Sequence, residues 1–213
     1  MQTEMTALMS ERVKAHIIVL ADNPYGEGHK MLTALSPEFG KISISAKGAR
    51  SAKSPFLAAC QQFCYSEAEL SVGKNGIYTL CEADLIHSFY GLREHLDTLF
   101  LTSELAKKTL MMAREEDPDP ELLRLILNSL YYIASGKRDL ALVRAVFDIR
   151  LLSDQGFFEF PAEVRSQGTA DALMHVTGKD LKELFAFRVN DAIREELINI
   201  AASEMRNFDH NVI

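Results

Sequence analysis

The sequence predicts an α+β protein: a small N-terminal five-stranded barrel followed by a C-terminal α-helical bundle. Three observations carry this. Over residues 1–80 the apolar side chains recur with a period of two, as in half-buried strands; after Glu82 the period becomes 3.6. The first 80 residues hold six of the eleven glycines and three of the six prolines, so short segments are cut by frequent turns. The later prolines and glycines fall instead where helices start and stop.

The strands follow in order. Val13–Ala21 is the first and Lys30–Ser36 the second, separated by the turn signal Asn23-Pro24-Tyr25-Gly26. Lys41–Lys47 is the clearest, with Ile42, Ile44 and Ala46 on one face and Lys41, Ser43, Ser45 and Lys47 on the other. Ser36-Pro37-Glu38-Phe39-Gly40 turns the chain into it. Ala68, Leu70 and Val72 alternate with Glu67, Glu69 and Ser71 in a fourth strand. Ile77–Cys81 is the fifth, after Gly73-Lys74-Asn75-Gly76. Five short strands in about 70 residues suggest a small barrel of OB-fold type.

The helical half opens with a long helix, Leu92 to about Ala113. Asp119-Pro120-Glu121 then supplies a capping Asp, a proline at the first helical position and an acid in the first turn. The helix it starts carries Leu122, Ile126, Leu130 and Ile133 on one stripe, and Gly136 ends it. Leu140–Gln155 is apolar around much of its circumference, so it belongs at the centre of the bundle. Thr169–Val176, Leu181–Phe187 and Asp191–Asn207 complete the set. Residues 1–81 are therefore expected to form the barrel domain and 82–213 the helical domain.

Composition bounds the class. The chain has 213 residues, 47% apolar and 25% charged, enough to fill a core without disulfides. Cys60, Cys64 and Cys81 are an odd set, which reads as reduced thiols in the cytoplasm. No apolar run reaches the roughly 18 residues of a membrane span, and the start, MQTEMTALMSERVKAH, shows no signal peptide.

The net charge of −7 argues at first against a nucleic-acid partner. Its distribution reverses that argument. Residues 1–80 carry eight Lys/Arg against seven Asp/Glu, and residues 81–213 carry fifteen against twenty-three. Within residues 12–53 the balance is +4, from Arg12, Lys14, Lys30, Lys41, Lys47, Arg50 and Lys53 against Asp22, Glu27 and Glu38. Lys41 and Lys47 would stand on one solvent-facing side roughly 20 Å apart, several phosphate spacings. From Lys47 to Lys53 a cation recurs every third residue among small side chains. Gly48 there permits a turn whose amides point outward. Phe39, Phe56, Phe63 and Tyr65 are candidate stacking aromatics for a single strand. The competing reading makes the cations a solvated face and the aromatics core.

Chemistry is otherwise sparse. There is no Gly-x-Ser-x-Gly, no Walker-type loop and no His-Glu-x-x-His. Gly26-Glu27-Gly28 lacks the third glycine of a dinucleotide loop, and Cys60-x-x-x-Cys64 has no second cysteine pair, so no cofactor or metal is expected. Glu115-Glu116-Asp117-Pro118-Asp119 reads as a polar helix-to-helix connection with a capping Asp, not as a metal site.

One block is specific. Pro24-Tyr25-Gly26-Glu27, Lys30, Leu32-Thr33, Phe39-Gly40-Lys41 and Ala46-Lys47-Gly48-Ala49-Arg50 together resemble the bacterial RecO family of recombination mediators. Further similarity lies in Tyr78-Thr79-Leu80-Cys81-Glu82-Ala83-Asp84-Leu85, Leu92-Arg93-Glu94, Glu104-Leu105, and Phe147-Asp148-Ile149-Arg150-Leu151-Leu152 before Gly156-Phe157. The resemblance implies an OB-fold joined to a helical domain, a non-enzymatic role, binding of single- and double-stranded DNA, and annealing of complementary strands. It implies as partners RecR and the acidic C-terminal tail of single-stranded-DNA-binding protein, with RecA loaded indirectly, and a place at the nucleoid. Many family members hold a structural zinc on four cysteines after the segment matching Gly156–Pro161; this chain has no cysteine beyond Cys81, so packing alone is expected to hold its bundle.

On this reading Lys41, Lys47, Arg50 and Lys53 contact phosphate, with Arg12, Lys14 and Lys30 in support. Lys137, Arg138 and Arg144, cations near apolar helix ends in an otherwise acidic half, are candidates to hold the partner tail's carboxylates. The alternative is an interaction adaptor that binds other proteins and no DNA. A hydrolase using the acids of residues 115–121 is the remote third class.

Overall fold

The computed structural model describes residues 11–73 and 76–212, and they divide into two compact units. One runs to Phe89 and takes in Ala106–Leu123; the other comprises Tyr90–Leu105 and the chain from Arg124 onward. Most of the segment read for a signal peptide, and Lys74 and Asn75 of the turn expected before the fifth strand, lie outside the described residues.

The first unit is a closed five-stranded barrel. Its strands are β1 (Arg12–Tyr25), β2 (His29–Ser36), β3 (Gly40–Ala46), β4 (Tyr65–Val72) and β5 (Ile77–His87). They pair in the order β1-β2-β3-β5-β4 and back to β1, the OB arrangement. Every pairing is antiparallel except the short parallel one between β3 and β5. Alternation in β3 is as the sequence predicts: Ile42, Ile44 and Ala46 are buried in a core with Ile17, Val19, Leu32, Leu70 and Leu80.

Two strands outrun the expectation. The β1–β2 hairpin continues through Asn23↔Met31, Pro24↔Lys30 and Tyr25↔His29, beyond the part of β1 paired with β4. Pro24, which has no N–H, is tolerated on that edge. β5 runs six residues past Cys81 because β4 keeps pairing with it, with two register shifts, as far as Tyr65↔His87.

The acidic connection also has a second job within this unit. Lys41 N–H donates to the Arg114 carbonyl at 3.0 Å, and Glu115 bridges to Gly40 and Lys41. Gly40 sits at φ +67°, and a Cβ there would lie 2.4 Å from the Asp117 carbonyl oxygen. Only glycine meets both constraints. Asp119 caps the next helix as the sequence predicts, its Oδ1 accepting from Leu122 N at 2.9 Å.

The helices are α1 (Leu96–Met112), α2 (Pro120–Ser135), α3 (Leu140–Asp154), α4 (Gln167–Gly178) and α5 (Asp191–Val212). The expected helix from Leu92 is broken: Tyr90–Arg93 is a 3-10 turn, and α1 starts at Leu96 with Thr98 Oγ1 donating to the Leu92 and His95 carbonyls. α3 packs against α4 and α5, and its residues 145–152 are buried without a break, Phe147, Asp148 and Arg150 among them.

The expected helix Leu181–Phe187 is a correction. The segment makes consecutive i→i−3 turns, Glu183 N to Asp180 O, Leu184 N to Leu181 O and Ala186 N to Glu183 O. The carbonyls a helix would use are bonded by other side chains. Asn128 donates to Leu181 O, Arg138 to Phe185 O, and the His175 ring meets Glu183 O. Seven residues are too few to nucleate a helix against that competition, and Leu181, Leu184 and Phe185 are buried all the same.

After α3, Phe157 N–H donates to Leu152 O at 2.7 Å and its ring meets Phe208 edge-on at 4.9 Å. Among the described residues no group of three His, Cys, Asp or Glu could hold a metal ion, so the side chains present do not fit the zinc of the resembled family. No helix of the described residues is long and apolar enough to cross a membrane.

Candidate nucleic-acid interface

Between β3 and β4 the chain makes an excursion whose first seventeen residues, 47–63, contain Lys47, Arg50 and Lys53 and no Asp or Glu. Ordered turns replace a free loop. Ala49 N reaches Ala46 O, Ser51 N reaches Gly48 O, Ser54 N reaches Ser51 O and Cys60 N reaches Phe56 O. Ala49 and Cys60 are fully buried, and Phe56 packs against the barrel core. With Ala49, Phe56 and Cys60 turned inward, Lys47, Arg50 and Lys53 are exposed, as is Leu57, and no described residue pairs with the three cations. Gly48 takes φ +72°, as the expected turn requires.

The expected outward amides are not there. Gly48 N–H donates to His29 Nδ1 at 2.8 Å and Arg50 N–H to Gly28 O at 3.0 Å. These amides fasten the excursion to the β1–β2 hairpin, so they are not offered to an anion. The same bonds bring the hairpin tip alongside, where Tyr25 is 56% exposed. Sequence reasoning missed Tyr25 as an aromatic for stacking because Pro24-Tyr25-Gly26 reads first as a turn. Its signal was available: an aromatic at a hairpin end has no core position to fill. Glu27 is an exposed acid on this tip.

The other predicted residues are placed differently. Lys41 is half-buried at the far end of β3, roughly 20 Å along the strand from Lys47. Arg12 and Lys14 lie at the end of β1 away from the hairpin tip and face carboxylates of β4, Arg12 with Glu69 at 2.7 Å and Lys14 with Glu67 at 3.6 Å. Lys30 is turned inward, its side chain 14% exposed, with its ammonium on Asp22 Oδ2 at 2.7 Å and the Cys60 carbonyl at 3.0 Å. That removes it from the set offered to solvent. Phe63 is buried, Phe39 leans on Tyr78 at 5.7 Å, and Tyr65 stacks with His16 at 6.1 Å. Three of the four expected stacking aromatics thus serve the core and one lies against a neighbouring ring.

Two titrations follow from these contacts. Burial alone would raise the Glu38 carboxyl, but hydrogen bonds from the His16 ring, the Ser36 hydroxyl and backbone amides hold it below its usual range. It therefore stays an anion beside His16. Burial pushes the Cys60 thiol up to about 11, which leaves it a neutral core side chain at physiological pH.

The helical unit holds a separate basic cavity of about 550 Å³, lined by Tyr132, Lys137, Arg138, Leu142, Arg188, Val189 and Arg194, with Asp139 as the one acid. Lys137 and Arg138 both line it. Arg144 does not: it pairs with Glu104. Two residues beyond Leu142 on α3 it points about 200° away. Arg188 and Arg194, which sequence reasoning missed, take its place. Arg194 is held by Asp139 at 3.4 Å and Asp191 at 3.7 Å, and Arg138 by the Phe185 carbonyl; Arg188 is exposed with no described partner.

Comparison with known proteins agrees with this architecture. A family model described as Recombination protein O N terminal matches residues 9–89, and Recombination protein O C terminal matches residues 93–158. The chain is 31% identical over 228 residues to the DNA repair protein RecO of Acetivibrio thermocellus, covering 91% of this chain and 90% of that one. It is 30% identical over 202 residues to the protein of the same name from Caldicellulosiruptor saccharolyticus, covering 91% and 82%. The match to that of Clostridium novyi is 31% over 148 residues and spans 57% of that protein.

Proposed function

Because the chain belongs to the RecO family, with a role in DNA repair and recombination, we propose that it binds single- and double-stranded DNA and anneals complementary strands without a covalent step. The observation that carries this is the 47–63 excursion: three exposed cations at three-residue spacing, with no partner among the described residues and no acid between them, on a barrel face beside an exposed aromatic. Neutralising phosphates on two strands lowers their mutual repulsion, which is what annealing needs. Fluorescence polarisation with an unstructured labelled single strand tests it at two salt concentrations. Binding should fall steeply with salt. No binding at low salt would instead favour the protein-interaction adaptor.

The partners of this family are DNA and recombination proteins. More finely, we place RecR, and RecA indirectly, among them, and assign the basic cavity to the acidic C-terminal tail of single-stranded-DNA-binding protein. Four cations around apolar Leu142, Val189 and the Tyr132 ring suit a short peptide end that carries carboxylates and an apolar side chain. Arg188→Ala/Arg194→Ala should weaken a labelled tail peptide by about tenfold or more, while Arg144→Ala leaves it unchanged. Unaltered affinity in the double variant removes the assignment.

A further inference from the structure

We infer that His29 and Lys30 are positioning residues that hold the basic excursion at Gly48 and at Cys60, so that Lys47, Arg50 and Lys53 meet phosphate already ordered. This rests on the DNA-binding reading above. Consecutive residues of a strand point to opposite faces, and β2 uses this. At the near end His29 Nδ1 accepts the Gly48 N–H at 2.8 Å, and the adjoining Gly28 carbonyl accepts the Arg50 N–H at 3.0 Å. An accepting Nδ1 fixes the ring as the neutral tautomer with its proton on Nε2. Further along, the Lys30 ammonium donates to the Cys60 carbonyl and pairs with Asp22, ahead of the backbone bonds that join Phe63 and Cys64 to Val19 of β1.

Between the anchors the chain has no strand or regular helix of its own. A seventeen-residue segment of that kind would otherwise lose conformational entropy on meeting a ligand. Fastening it beforehand moves that cost into folding and leaves more of the contact energy for binding. It also explains why a lysine inside the most basic part of the chain is turned inward: Lys30 acts on the DNA surface through the backbone of Cys60.

Three variants separate positioning from contact. His29→Leu removes the acceptor, His29→Asn keeps one near the Nδ1 position, and Asp22→Asn/Lys30→Met removes the buried charge pair while keeping its shape. Amide hydrogen exchange of residues 47–61 is read in the free protein, and single-strand affinity against salt is read in parallel. Faster exchange at Gly48 and Arg50 in His29→Leu is expected, recovered in His29→Asn. In the Asp22/Lys30 double variant the faster exchange should fall toward Cys60. Both disrupted variants should bind about threefold to tenfold more weakly, with the salt slope of the parent.

A slope lowered by about 0.7 in the Asp22/Lys30 variant, as removal of one phosphate contact gives on a single strand, would make Lys30 a contact and overturn the proposal. Unchanged exchange in His29→Leu would also overturn it. If Lys47→Gln leaves both affinity and slope untouched while exchange still responds to His29→Leu, the DNA reading fails and the clamp stands.

Discussion

Charge reversal of Lys47, Arg50 and Lys53 to Glu is expected to weaken single-strand binding by roughly 100-fold or more and to lower the log–log salt slope by about 2. The slope follows from counterion release, about 0.7 for each of the three phosphates that the cations would neutralise on a single strand. The affinity follows from about 1 kcal/mol for each solvent-side cation–phosphate pair, before any added repulsion from the new carboxylates. The weakening should be the same for every sequence, because nothing in the excursion is arranged to read base edges. The three side chains are exposed and have no partner among the described residues, so their reversal leaves the fold intact. Arg12→Glu/Lys14→Glu is the matched comparison and should cost far less, since those cations already face Glu69 and Glu67. Equal effects in the two variants, or unchanged binding in the first, would sink the assignment.

The whole-chain charge of −7 hides this surface because the acids are concentrated in residues 81–213. A locally basic excursion on an acidic chain attracts DNA only at short range, since screening confines its field to about 10 Å at moderate salt. Modest affinity and steep salt sensitivity are the consequence expected if this surface meets DNA.

What could be seen in the sequence was what depends on neighbours along the chain. The alternation of Lys41–Lys47 is written in Ile42, Ile44 and Ala46, and the start of α2 in Asp119-Pro120. What could not be seen depends on partners distant in sequence. Glu82 to His87 alternate only as far as Leu85 and are mostly exposed, so they bury no apolar face; β4 alone makes them a strand. Leu181–Phe187 has a helical apolar spacing, but Asn128, Arg138 and His175 claim its carbonyls. Lys30 counts as a surface cation until Asp22 and Cys60 are placed around it. The candidate site shows the same division. The triad Lys47, Arg50, Lys53 stands out as a spacing, whereas Tyr25, Arg188 and Arg194 join their sites only through folding.

Arg150→Ala should damage the helical unit as much as truncating one of its buried apolar side chains, costing about 3 kcal/mol and lowering the melting temperature by about 10 °C. Arg150 lies in the buried length of α3 with its side chain only 10% exposed. Nε donates to both oxygens of Asp154 at 2.8 Å, and one terminal nitrogen donates to the Val176 carbonyl at 3.2 Å and the Lys179 carbonyl at 2.6 Å. The planar guanidinium thus binds an acid one turn along its own helix and the unsatisfied carbonyl end of α4, where a cation also meets the helix dipole favourably. Truncation takes the donor from two carbonyls and one partner from a partly buried carboxylate, and the loss of donors weighs more than the loss of a pair. Arg150→Lys should not rescue, because a single ammonium cannot span Asp154 and both carbonyls at once. Asp154→Asn should cost about 1 kcal/mol, since Arg150 keeps the carbonyls and an amide oxygen still accepts. Thermal or urea unfolding of the three variants checks the order; an Arg150→Ala protein within about 1 kcal/mol of the parent would show that water satisfies these groups and that packing around Phe147 and Ile149 holds the bundle without them.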